Sequence, residues 1–146
     1  MRRGLLVVLG FLAVTLPATW LWIEWAQQAY GAVFGPAAKA VYGFLGLEQV
    51  PVFAQRLRYI NLVPFLGLML VTPGLALPRR IGGLGIGLLL LFASHMVLNA
   101  LGAWLPAGER RLPAGAAVVS DALPFVIWVV IARQPLRRFV ERSLDA

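Results

Sequence analysis

The chain has 146 residues, 60% hydrophobic and only 13% charged, with a formal net charge of +7 and no cysteine. Soluble domains carry about 25% charged residues and about 45–50% apolar ones. This balance excludes a water-soluble globular enzyme, a disordered chain and a disulfide-stapled secreted domain. The missing cysteine excludes thiol nucleophiles and Cys-ligated metals. What remains is a small all-α integral membrane protein, a single domain over residues 1–146.

A hydrocarbon core of about 30 Å needs roughly 20 apolar residues in helical form. Four stretches qualify, at about 4–24, 59–77, 81–105 and 114–132. The first follows Arg2 and Arg3 and ends in Trp20, Trp22 and Trp25, which read as an interfacial aromatic belt. Small residues of the kind a signal peptidase needs do not follow it, so it reads as an anchor that stays. Residues 26–47 are weakly apolar and contain Lys39 and Gly35-Pro36. They predict an external interfacial or re-entrant segment within 26–57, with Tyr30, Phe34, Tyr42 and Phe44 facing lipid or the bundle. A fifth span is the alternative, and it would demand a very tight hairpin after Glu24.

Residues 59–77 close on Pro78-Arg79-Arg80, which predicts a basic turn between the second and third spans. The third opens on Ile81-Gly82-Gly83-Leu84-Gly85-Ile86-Gly87. A nucleotide loop needs a preceding strand and polar surroundings. Here Gly83 and Gly87 instead predict a groove for close helix packing.

Lys and Arg collect on cytoplasmic flanks. With both ends inside, Arg2, Arg3, Arg79, Arg80, Arg133, Arg137, Arg138 and Arg142 are cytoplasmic, and Lys39, Arg56, Arg58, Arg110 and Arg111 are external. Three inner flanks then carry a basic pair. The tail residues Arg137, Arg138 and Arg142 read as contacts for anionic lipid head groups, not for nucleic acid.

Polar side chains within spans are costly in lipid and so face the bundle. Asp121 sits about 18 Å from the inner boundary, His95 about 22 Å, Asn61 about 27 Å and Asn99 about 28 Å; Arg58 and Glu24 sit at about 31 Å. His95 and Asn99 share one helix face. The expectation is a pocket open to the outer side, built from Arg58, Asn61, His95, Asn99 and Asp121. Asp121 and His95 would share a proton or pair, and Glu24 and Arg58 would pair at the rim. The competing expectation is that these groups simply hold the helices together by hydrogen bonds. A lone histidine without cysteine gives no metal site, and Ser120 beside Asp121 makes no triad. No cofactor is expected, and catalysis by this chain alone is unsupported.

The stretch Arg58-Tyr-Ile-Asn61-Leu-Val-Pro64, then Pro78-Arg79-Arg80, then Ser94-His95-Met-Val-Leu-Asn99, resembles the core of exosortase/archaeosortase-like membrane proteins. It is also similar, more loosely, to small membrane proteins associated with one exosortase type. The resemblance covers roughly 58–99. It implies that Arg58 contacts a substrate carboxylate or carbonyl. This chain lacks the nucleophilic cysteine and the arginine expected shortly after Asn99. The resemblance therefore implies a catalytically inactive relative or a companion subunit.

The resulting expectation is a multi-pass inner-membrane protein, non-enzymatic, an accessory or binding subunit in envelope protein sorting or export. Its partners are the lipid bilayer and other membrane subunits or copies of itself. Two alternatives remain open. One is an exosortase-like enzyme with His95 as general base and Arg58 as electrophilic stabiliser. The other is a small proton-coupled carrier using Asp121 and His95.

Overall fold

The computed structural model describes residues 2–52, 61–103 and 114–144, and every element among them is helical. α1 (Arg2–Leu21) runs through a widened π turn, Trp22–Ala26, directly into α2 (Gln27–Phe44); α3 is Leu62–Val71, α4 Leu77–Ala103 and α5 Ala114–Leu144. Three of these stretches are long and apolar enough to cross a membrane: Gly4–Phe44, Leu77–Ala103 and Val118–Glu141. Leu62–Val71 is a shorter apolar helix.

The second helical region ends earlier than the 59–77 expected. Thr72 is extended (ψ 115°) because it precedes Pro73, whose ring disfavours the α conformation in the residue before it. Gly74 then turns at φ +72°, a conformation that favours glycine. The chain resumes as α4 at Leu77, so Arg79 and Arg80 lie in its first turn and not in a loop ahead of a span at 81. Both arginines brace the corner. Arg80 donates through Nη2 to the Thr72 carbonyl at 3.0 Å, and Arg79 donates to Gln134 Oε1 of α5 at 2.7 Å. Trp128 Nε1 donates to the Thr72 hydroxyl at 2.7 Å.

α1 and α3 are antiparallel: a Cβ at Gly10 would touch Val71, and one at Gly67 would overlap Thr15 and Phe11. α3 and α4 meet through the glycine groove that the spacing predicts. Phe65 fills the space over Gly87, and the Met69 methyl fills that over Gly83 together with Ile131 of α5. Phe65 and Met69 are fully buried at i, i+4 on one helix face, with Leu62, Leu75, Leu91 and Ile127 completing this cluster.

Residues 27–44 form a helix continuous with the first. The Gln27 N–H bonds the Trp22 carbonyl, an i→i+5 closure that inserts one residue and rotates everything after it. The combined helix of 41 residues is about 60 Å long, twice the thickness of a hydrocarbon core. α2 crosses α4 steeply. Tyr30 meets Phe92 and His95, while Tyr42, about 18 Å farther along α2, meets Met96 and Asn99, only about one turn farther along α4. Phe34, Ala38, Tyr42 and Val50 form the second buried cluster, and Phe44 projects outward.

α5 continues well past residue 132. Pro135 removes one backbone donor, but the helix runs through it to Leu144, with Arg137 and Glu141 paired at 2.8 Å on its exposed surface.

Candidate functional site

Tyr30, Phe34, Ala38 and Tyr42 recur every four residues and so lie on one face of α2. That face meets the face of α4 carrying Phe92, His95, Met96 and Asn99. The Tyr30 ring packs edge-on against Phe92 (5.7 Å between centroids) and His95 (5.8 Å), and stacks on Phe34 at 5.9 Å. Trp22, in the π turn, closes the group against Tyr30 at 5.6 Å. His95 is thus fully buried in an aromatic shell.

Its ring nitrogens are taken up within the bundle. The Tyr30 hydroxyl lies 2.7 Å from His95 Nδ1, and Asn61 Oδ1 lies 3.0 Å from His95 Nε2. Asn61 Nδ2 reaches the Ser120 carbonyl of α5 at 3.3 Å and its hydroxyl at 3.4 Å. A carbonyl only accepts, so the Asn61 amide must donate there and turn its own oxygen toward His95. His95 therefore carries its proton on Nε2, and Tyr30 donates to the bare Nδ1. One directional chain, Tyr30 to His95 to Asn61 to Ser120, connects α2, α4, the start of α3 and α5.

The Ser120 carbonyl is available for a reason written in the sequence. In an α-helix it would accept from the N–H four residues later, and that residue is Pro124, which has none. Proline frees the acceptor, and Asn61 occupies it. A second node lies one turn farther along α4. Asn99 Nδ2 donates to the Tyr42 hydroxyl at 3.1 Å and to the Pro51 carbonyl at 3.2 Å, and Tyr42 donates to the Met96 carbonyl at 2.7 Å.

Of the residues singled out in the sequence, Asn61, His95 and Asn99 are buried and belong to these two nodes. Asp121 is exposed on α5, and Glu24 is exposed in the π turn. The pairing expected between Asp121 and His95 is replaced by the Tyr30 and Asn61 bonds. Arg58, and with it the Glu24–Arg58 pair, lies outside the described residues. The residue pattern set Tyr30 and Tyr42 apart as an aromatic face, and Ser120 and Pro124 as span residues, without joining any of the four to the buried histidine and asparagines. The last two were legible as a proline four residues after a polar one. Among the described residues no group of three or more His, Asp or Glu is placed to hold a metal ion.

No protein-family profile matches the chain, and no curated protein or solved structure is significantly similar to it.

Proposed function

We propose that this protein is a multi-pass inner-membrane protein with both ends cytoplasmic, acting as a non-enzymatic accessory subunit of a larger membrane assembly. The observation that carries this reading is how its intramembrane polar groups are spent. His95 is held between Tyr30 and Asn61, Asn61 reaches Ser120 of α5, and Asn99 is held by Tyr42 and the Pro51 carbonyl, ties between elements as in a brace. A general base must reach a substrate or water within hydrogen-bond distance, whereas both nitrogens of the buried His95 ring have protein partners. What the bundle offers outward is apolar helix surface, including Leu5, Leu6, Leu9, Leu12 and Leu16 of α1.

The basic groups support the orientation. The Arg79–Gln134 bond brings the start of α4 beside the Arg133–Arg138 stretch of α5, and the Gly10–Val71 contact brings the first part of α1 toward the same end. These flanks then share the cytoplasmic side. The resemblance to exosortase-like proteins supplies the proposed setting, envelope protein sorting or export.

The test is gentle extraction from native membranes followed by sizing and identification of what elutes with the chain. A stable stoichiometric assembly with other membrane proteins is expected. Recovery only as a lone chain, or activity abolished by His95→Gln in a correctly folded protein, overturns the reading.

A further inference from the structure

Beyond this brace, the end of the bundle opposite Arg79 and Arg80 carries a recess that the accessory role does not use. It measures about 360 Å³ and is lined by Lys39, Tyr42, Glu48, Gln49, Val50, Pro51 and Val52. That lies at the lower end of small-ligand sites. Its base is fixed: the Tyr42 hydroxyl is held by Asn99 and the Met96 carbonyl, and the same Asn99 amide holds the Pro51 carbonyl. Tyr42 and Val50 are buried. The tight turn after α2, in which Leu47 N–H bonds the Tyr42 carbonyl at 2.7 Å and Gly46 adopts φ +69°, brings the 48–52 strip back over the helix.

Two features define the occupant. First, the recess presents one cation, Lys39, and one anion, Glu48, and neither makes an ion pair among the described residues. Opposite charges bordering one recess without joining each other match a ligand that carries both signs. Second, Asn99, which holds the lining residues Tyr42 and Pro51, lies about 29 Å along α4 from Arg80, one hydrocarbon thickness, which puts the recess at the opposite membrane interface. Beside it Phe44 is 91% exposed and Leu45 59% exposed, apolar surface facing what lies alongside the helix.

We propose that this recess binds the zwitterionic head group of a phospholipid, its phosphate on Lys39 and its ammonium on Glu48, with Phe44 and Leu45 against the acyl chains. A primary ammonium donates hydrogen bonds to the Glu48 carboxylate and the Gln49 amide oxygen. A quaternary one has no N–H to give. The recess therefore selects phosphatidylethanolamine over phosphatidylcholine.

The experiment is native mass spectrometry of the full chain released from micelles holding equal amounts of the two lipids. Phosphatidylethanolamine adducts are expected to exceed phosphatidylcholine adducts by about fivefold, the upper range for an exposed charge contact. Glu48→Gln removes the preference and leaves total lipid retention; Lys39→Gln lowers both adducts alike. Both side chains are exposed, so the variants keep the fold, and circular dichroism verifies this. Equal retention of the two lipids by the unaltered chain, or an unchanged preference in Glu48→Gln, overturns the proposal. Displacement of the lipid by millimolar soluble phosphoethanolamine would assign the site to a free zwitterion and overturn the lipid assignment.

Discussion

The side-chain amide of Asn61 occupies the carbonyl of Ser120, the oxygen that Pro124 leaves without a helical donor. A proline inside α5 and a buried asparagine at the start of α3 thus form one unit. Removing the amide in Asn61→Ala strands that carbonyl and His95 Nε2 together. A loss of about 1–2 kcal/mol is expected, because intramembrane hydrogen bonds contribute modestly. Pro124→Ala restores the helix's own donor, so its effect in the Asn61→Ala background should be more favourable than in the unaltered chain. Unfolding in mixed micelles across this double-mutant cycle measures the coupling. Strict additivity would refute the pairing.

The two tyrosines of α2 should respond differently to loss of the hydroxyl. Tyr30→Phe keeps the ring contacts with Phe34, Phe92 and His95 but leaves Nδ1 of a fully buried histidine without its donor. Tyr42→Phe leaves Asn99 its bond to the Pro51 carbonyl. The expected costs are about 1–2 kcal/mol for Tyr30→Phe and about 0.5 kcal/mol for Tyr42→Phe. Thermal unfolding in a single detergent ranks them, and the reverse order would contradict the assignment of His95 as the more dependent partner.

Glycines on one helix should divide sharply. A Cβ at Gly87 overlaps the Phe65 ring, whereas one at Gly85 meets nothing within 4 Å. Gly87→Ala is therefore expected to cost about 1–3 kcal/mol through overpacking. Gly85→Ala is expected to be neutral or stabilising by up to about 1 kcal/mol, from helix propensity. Phe65→Leu in the Gly87→Ala background should recover part of the loss, read again by thermal unfolding.

Because the chain has no cysteine, any introduced thiol is a unique probe of sidedness. In intact cells an impermeant maleimide should label Glu48→Cys. Arg79→Cys and Arg137→Cys should react only after the membrane is opened. Labelling of Arg79→Cys and Glu48→Cys from the same side would exclude the proposed orientation.

Much of the architecture was legible in residue order. Apolar runs of membrane length, basic flanks and the Gly83/Gly87 spacing are local patterns that composition and helical periodicity impose directly. Two helix boundaries fall elsewhere than hydropathy alone places them, for local reasons. Thr72-Pro73-Gly74 breaks the helix where hydropathy continues, and the π turn at Trp22–Ala26 carries the first helix on where hydropathy fades.

The buried polar side chains were also visible in the sequence, since an asparagine or histidine inside an apolar helix stands out wherever it falls. Their partners were not. Depth along a helix fixes which groups share a level, but not which azimuth each presents. Asp121 and Ser120 differ by one residue, about 100° of rotation, and that rotation sends the carboxylate outward while the Ser120 carbonyl meets Asn61. Composition and charge alone determined a basic, cysteine-free helical chain with membrane-length apolar segments. The crossing of α2 over α4, and with it the choice of Tyr30 over Asp121 as the partner of His95, was decided only by tertiary packing, because azimuth is set by what each helix packs against.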